Sequence, residues 1–297
     1  MRRDVEKCGT QFMHYKEIII MNNKIIYHFT TLEAFYHIVT GGSLHMFDII
    51  KSNDPKEGKF ALECLDTVLN KSRYVDKIDL SDEQWIEFRK AFLGLADDFK
   101  NPNPEYWMLC TSFCEIDENN LIPLWQIYGG FGKGVAIGVD KEKMLQLTEN
   151  IEIEPIQYLT NDEMEQNALE FIKENKNKNG EELCNAVKEY YIHSFRFKRK
   201  YFEYEHEVRL LAKSVDLSEN MFCFDREDEM VDFSFNNGKI KSYYKLTISK
   251  QNFNCISEVI LGPSCPMSVK EMRVFLNKKC GRYVNIRKAD YLTCGKE

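Results

Sequence analysis

Three short runs of the sequence hold side chains able to do chemistry. In Tyr27-His28-Phe29-Thr30, an extended backbone sends His28 and Phe29 to opposite sides and puts His28 and Thr30 on one face. Imidazole and hydroxyl each donate and accept, so the pair suits sugar hydroxyls or an amide. A histidine satisfied by backbone at a strand end is the structural alternative. Glu203-Tyr-Glu205-His-Glu207-Val-Arg209 places three acids and an arginine at alternate positions, which extended chain would align on one face. Crowded carboxylates raise one another's pKa and an arginine lowers them, so one acid can act as base while another holds a hydroxyl. An exposed strand edge with alternating charges accounts for the same row. The third run, Ile122 to Gly134, has four glycines within six positions, which let backbone approach a ligand closely. Trp125 and Tyr128, three apart, share a helix face for stacking. A hairpin-like turn with core aromatics is the other reading of that run. Ser112 precedes it and can point into the same cleft.

The elements that must position these groups follow from pattern. Lys24 to Phe29 reads as a strand, and Thr30-Thr-Leu-Glu33 as a capping box opening a helix through Phe35, Ile38 and Val39 that stops at Gly41-Gly42. Asp54-Pro55-Lys-Glu57 and Ser81 to Gln84 open further helices, the second carrying Trp85, Phe88 and Phe92. Trp107 to Phe113 and Gly134 to Val139 are strands flanking a short helix, Asn120 to Tyr128. Glu152 to Tyr158 is a strand; 162–174 and 181–197 are helices. Val208 to Ala212, Met230 to Phe235, Ser242 to Ile248, Val259 to Leu261 and Val284 to Ile286 are strands, with a helix over Ser268 to Lys279 capped by Ser268. Grouped strands argue for an α+β fold with a bent, mixed to mainly antiparallel sheet and peripheral helices. No repeat or long linker divides the chain. We therefore expect an N-terminal extension over 1–21, with Met21 as an alternative start, and one domain over 22–297; Lys173 to Glu182 is the expected exposed joint.

Composition bounds the function. The chain has 297 residues, 43% hydrophobic and 13% aromatic, with 15 glycines and 7 prolines, which excludes collagen-like and disordered chains. A net charge of −7 disfavours duplex coating by overall positive charge. Arg196-Phe-Lys198-Arg199-Lys200-Tyr-Phe202 interleaves four cations with aromatics and suits phosphate or base stacking, or else a solvated helix end. The ten cysteines include no Cys-x-x-Cys, so we read reduced, mostly buried thiols and no metal. The longest early apolar run, Ile18 to Met21, is too short for a signal or membrane segment, and a cytoplasmic protein is expected. Walker, nucleophile-elbow, kinase and His-Glu-x-x-His patterns are absent.

The runs "YHFTTLEAFYHIVTGGSL", "NDPKEG", "CTSFCEIDENNLIPLWQIYGGFGKGVAIGVD", "FEYEHEVRLL" and "VILGP" together resemble the bacterial domain-of-unknown-function family 2971 from Tyr27 to the carboxyl end. More distantly, the sequence is similar to the ADP-ribosyltransferase superfamily, in which a histidine followed two positions later by Ser or Thr ends the first strand, an aromatic or serine-rich middle segment stacks nicotinamide, and a glutamate, often in a Glu-x-Glu pair, stabilises the reaction centre. His28 with Thr30, Tyr128 or Ser112, and Glu205-x-Glu207 match these elements in turn; no glycine follows His28.

This resemblance implies NAD as co-substrate. Glu207 would stabilise a ribose oxocarbenium ion and Glu205 would orient or deprotonate an acceptor. His28 would hold the adenosine ribose and Thr30 the carboxamide. Tyr128 or Trp125 would stack nicotinamide, and Arg209, or Arg196 with Lys198, would meet the pyrophosphate. The acceptor, protein or nucleic acid, is open, and a toxin or anti-phage effector is the expected setting. Two other classes stand beside this reading: a nucleotide-binding or protein-interaction module without turnover, and a metal-dependent nuclease using the acidic row with the basic cluster.

Overall fold

The computed structural model describes residues 24–49, 56, 59–70, 78, 80–100, 106–107, 109–117, 121–147, 151–212, 215–216, 231–236, 239–249 and 253–289. Its strands are β1 (Ile25–Thr30), β2 (Ser43–Asp48), β3 (Tyr106–Trp107), β4 (Leu109–Cys114), β5 (Val135–Asp140), β6 (Ile151–Pro155), β7 (Gln157–Leu159), β8 (Phe197–Arg199), β9 (Glu207–Ala212), β10 (Val215–Asp216), β11 (Val231–Asn236), β12 (Lys239–Thr247), β13 (Ile256–Leu261) and β14 (Asn285–Lys288). Its helices are α1 (Leu32–Gly41), α2 (Phe60–Asn70), α3 (Asp82–Lys100), α4 (Leu121–Ile127), α5 (Lys141–Leu145), α6 (Asn161–Asn175), α7 (Gly180–Ser194) and α8 (Val269–Cys280), with a 3-10 turn over Lys200–Glu205. The arrangement is α+β. The path β11-β12-β2-β4-β1-β5-β13-β14 runs through a ten-stranded sheet to which β9 and β6 are attached at β4. β13 and β14 run parallel and the other pairs of this sheet antiparallel. Among the described residues no helix is long and apolar enough to cross a membrane.

Local chemistry sets most boundaries. The Ser268 hydroxyl accepts from Glu271 N and the Glu271 carboxylate accepts from Ser268 N, the reciprocal capping that starts α8. Thr160 with Glu163 does the same for α6, and Ser81 with Gln84 for α3. At α1 the expected cap moves by one residue: Thr31, not Thr30, accepts from Ala34 N, and Thr30 stays in β1. The run expected as one strand over Glu152 to Tyr158 divides into β6, on the main sheet, and β7, which pairs with β8 instead. The Asp54–Glu57 cap and the extension over 1–21 lie outside the described residues.

Two apolar clusters carry the fold. The larger packs Ile26, Phe113, Val208 and Leu210 of the central strands with Phe35 and Val39 of α1 and Met272 and Leu276 of α8. The second joins α2, α3, α6 and α7 through Leu65, Phe88, Phe171 and Tyr190. A smaller cluster on the opposite sheet face holds Phe29, Cys114 and Ala136 beneath Leu124 and Trp125 of α4. Of the seven described cysteines all are free and five buried, as expected; burial pushes the Cys110 and Cys114 thiols far up, with Glu207 adding to it, so they are poor nucleophiles.

Candidate active site

The centre of the sheet branches at β4. β9 occupies one whole edge of that strand, from Cys110↔Leu211 to Cys114↔Glu207. The other edge is therefore shared: β2 joins it at Phe47↔Cys110 and Asp48↔Leu109, and β1 at Tyr27↔Cys114. Between these joints the ladder is open, and side chains close it. Thr111 Oγ1 donates to the His45 carbonyl (2.9 Å), and His28 Nδ1 donates to the Ser112 carbonyl (2.9 Å). A carbonyl only accepts, so this bond fixes the proton on Nδ1 and leaves Nε2 as the acceptor of a neutral ring. Burial holds the His28 pKa below the usual histidine value, partly offset by that carbonyl.

On the β9 side a buried ionic cluster has formed. Glu207, 6% exposed, receives the Ser112 hydroxyl at Oε1 (2.6 Å) and Arg209 at both oxygens, Nε to Oε1 (2.8 Å) and Nη2 to Oε2 (3.1 Å). Lys198 Nζ bridges Glu205 Oε2 (2.5 Å) and Glu207 Oε2 (3.1 Å). The Tyr128 hydroxyl donates to Glu205 Oε1 (2.8 Å), and the Tyr158 hydroxyl accepts from Glu207 N (2.7 Å). Arg209, 1% exposed, also donates to the Phe195 carbonyl (2.6 Å). Two carboxylates thus meet two cations, the balance that such burial requires. Burial alone would lower the Lys198 pKa, but the facing Glu207 and Glu205 outweigh it and raise it, which keeps the ammonium charged. Burial pushes the Glu207 carboxyl upward, opposed by Lys198 and by the Ser112 hydroxyl. Tyr128 is raised too, by burial and then by Glu205.

The acids converge by a route that differs from the expected one. Glu203 and Glu205 lie in the 3-10 turn, not in a strand, and the turn ends at His206 in a left-handed conformation, φ 43°. That reversal aims Glu205 and Glu207 at one lysine, whereas Glu203 faces outward and pairs with Lys200 (2.7 Å). The His206 carbonyl accepts from Glu115 N, and its imidazole lies 3.4 Å from Asp117.

The structure also corrects several assignments. Trp125 is 1% exposed, buried edge-on against Phe29, and a Cβ at Gly129 would overlap its indole; it cannot stack on a ligand. Arg209 is committed to Glu207, so it is not free to meet a pyrophosphate. The basic run is engaged internally as well: Arg196 with Glu152 (2.9 Å), Lys198 with both acids, Arg199 over the Tyr201 ring and Lys200 with Glu203. The expectation that His28 and Glu207 line one cleft across adjacent strands does not hold: β4 lies between their strands. Paired residues share a face, so Tyr27, Cys114 and Glu207 lie on one face of the sheet, and His28 lies on the other, against the Phe113 ring (5.5 Å). The two groups meet through Ser112, one at its carbonyl and the other at its hydroxyl. Thr30 shares the His28 face but is buried. Tyr128 (39% exposed) and Ser112 remain open to solvent.

The glycine-rich run is a backbone junction. Gly262 N donates to the Gly134 carbonyl and Ser264 N to the Gly132 carbonyl, both 2.9 Å. A Cβ at Gly134 would overlap the Thr30 carbonyl oxygen, and one at Gly262 the Gly132 carbonyl oxygen. The loop is thereby fixed against both the end of β1 and the segment after β13. Among the described residues no three His, Cys, Asp or Glu side chains are grouped to hold a metal ion. A hollow of about 600 Å³ lies along α8, lined by Ser268, Lys270, Glu271, Val274 and Phe275, none of which belongs to the cluster.

Residues 124–210 match the family described as "Protein of unknown function (DUF2971)". The matched segment holds Tyr128, Lys198, Glu205, Glu207 and Arg209 but neither His28 nor Ser112, and is shorter than the resemblance read from Tyr27 onward. No curated protein and no solved structure matches the chain.

Proposed function

From a segment that carries the signature of a family without an assigned activity, we propose that this protein is an ADP-ribosyltransferase-like enzyme that cleaves NAD and passes ADP-ribose to an acceptor. The observation that carries the reading is the pair of bonds at Ser112. Its hydroxyl holds Glu207 at 2.6 Å while its carbonyl holds His28 at 2.9 Å, at the point where β1 and β2 part from β4. In the proposed step the bond between ribose C1′ and nicotinamide breaks, and its electron pair leaves with nicotinamide. Glu207 stabilises the cationic ribose. An acceptor nucleophile then bonds to C1′ and its proton passes to Glu205, which the Tyr128 hydroxyl orients. The half-exposed Tyr128 ring lies against nicotinamide, while His28, on the other face of the sheet, acts only by holding the Ser112 backbone. Lys198 must leave Glu207 Oε2 for the anionic ligand, because the carboxylate it covers is the one that faces developing positive charge.

A second reading is favoured by one observation: each carboxylate already has cationic or hydroxyl partners and is almost wholly buried. On that reading the cluster is a structural ionic core of a module that binds nucleotide or protein without turnover. The two separate on NAD labelled in its adenylate half, incubated with the protein and cell lysate, with Glu207→Gln beside it. The transferase releases nicotinamide and labels an acceptor, and the variant loses both at least a hundredfold while remaining folded. A wild type that never consumes NAD, with a variant that unfolds, leaves the structural reading.

A further inference from the structure

Charge is spread unevenly along the chain. Residues 262–289 hold seven Lys or Arg and one acid, Glu271, a net +6 within a chain of −7. They form α8 and β14, the strand at one end of the main sheet path. α8 turns Met272, Leu276 and Cys280, four apart, into the larger apolar cluster with Ile286 of β14. The other side of the helix therefore carries Lys270, Val274 and Lys278, also four apart and all exposed. Arg273, Lys279 and Lys288 are exposed as well. None of these five cations makes an ion pair among the described residues.

The acids of the elements packed here do not balance them. Glu271 accepts from the Ser268 N and hydroxyl at the helix cap (2.8 and 2.7 Å), Glu258 of β13 accepts from Tyr27 and Arg287, and exposed Glu33 stands in the first turn of α1. The loop bonded at Gly132 to Ser264 N adds another exposed cation, Lys133. Beside the basic stripe lies the open hollow of about 600 Å³, lined by Lys270, Val274 and Phe275 with Ser268 and Glu271. Phe275 stacks on Tyr36 of α1, centroids 5.9 Å apart at 24°, and Tyr36 is 51% exposed. An aromatic ring half open to solvent, at a recess edged by a free lysine, can take a flat ring by stacking and its attached phosphate by charge.

We propose that the outer face of α8 binds single-stranded nucleic acid, with the phosphate backbone along Lys270 and Lys278 and one base in the hollow against Tyr36. The two features select the ligand together. An acidic peptide or an anionic lipid surface meets the cations but leaves the recessed aromatic unused, and a duplex meets them with its bases stacked inside the helix. The net charge of −7 opposes coating of the whole molecule and confines the contact to this face. The inference does not depend on NAD chemistry.

The test is fluorescence anisotropy of the full chain with a labelled, mixed-sequence strand of about 12 nucleotides, as RNA and as DNA, a length within the span of one single-strand site. Affinity should fall about twentyfold between about 50 and 200 mM salt, the loss expected for three phosphate contacts. Lys270→Glu/Lys278→Glu should weaken binding about thirtyfold or more, because two such contacts become repulsive. Tyr36→Leu, which keeps apolar cover over Phe275, should weaken it about tenfold through the lost stacking. The control Lys59→Glu/Lys173→Glu makes the same charge change at exposed lysines before α2 and on α6 and should bind like wild type; all four lysines are exposed, so both double variants fold. Absence of binding by either strand, Tyr36→Leu binding like wild type, or equal losses in the two double variants overturns the proposal. So does a duplex, polyglutamate or phosphatidylserine vesicles competing as well as the unlabelled strand.

Discussion

Replacing Lys198 by methionine removes the one cation that, among the described residues, touches both acids. Methionine matches the length of the stem, so the main loss is charge. Glu207 keeps Arg209 and Ser112, but Glu205 keeps only the Tyr128 hydroxyl, and the two carboxylates then face each other in a site where each is at most 6% exposed. Removing one partner of a buried ion pair costs about 3–5 kcal/mol, which lowers the melting temperature of a chain this size by roughly 5–8 °C. The sign of the pH effect follows from Glu207. Burial already raises its carboxyl in the folded state, and loss of Lys198 raises it further, so the folded variant takes up a proton at higher pH than the unfolded chain. Its deficit is present above the raised folded pKa and shrinks as pH falls toward the unfolded carboxyl value of about 4.3. Urea denaturation across that pH range, with Lys198→Met/Glu205→Gln as the compensating double variant, measures this. A single variant within about 1 kcal/mol of wild type at pH 7 would show that the carboxylates are solvated or already neutral, and the buried-cluster argument fails.

Three further outcomes follow from the same geometry. Gly134→Ala should cost about 2–4 kcal/mol by chemical denaturation, because the new Cβ meets the Thr30 carbonyl and backbone there cannot yield. Gly180→Ala, with φ 49° and open space around it, should cost about 1 kcal/mol; equal losses would remove the close-approach account of the loop. His28 has a lowered folded pKa, so wild type should lose stability as pH falls through the unfolded histidine value of about 6.5. His28→Gln should lack that component, and identical pH profiles would mean that His28 is solvated.

Helix starts are legible where a cap is a local device: Ser81 and Ser268 each need only a residue three positions on, and Thr160, which the sequence reading does not single out, works in the same way. Thr30 and Thr31 are both competent caps, and the pairing of Thr30 with Val135, a tertiary fact, decides between them. Type and spacing single out His28, Glu205, Glu207, Ser112 and Tyr128; hydrogen bonds link Ser112, Glu207, Glu205 and Tyr128 through Lys198, and His28 reaches them only through the Ser112 carbonyl. Lys198 and Tyr158 were missed as members of the cluster. The sequence offers Lys198 as a phosphate-binding cation or as part of a solvated helix end; its burial in β8 between intermediate neighbours is set by tertiary packing that the run of four cations does not reveal. The acidic row was misread because Glu203 to Glu207 has the spacing of a strand, while a non-glycine left-handed residue, His206, gives no sequence warning. Trp125 was placed on the wrong side of α4: the glycine that makes room for its ring, Gly129, was read as ligand space.

The central claim, that Glu207 acts on NAD, is tested most directly by a crystal structure with a non-hydrolysable NAD analogue soaked in. The account predicts ribose C1′ beside the Glu207 carboxylate, nicotinamide against the Tyr128 ring and Lys198 moved away from Glu207. Nucleotide bound elsewhere, or a saturated site in which Lys198 still bridges both acids, would contradict it.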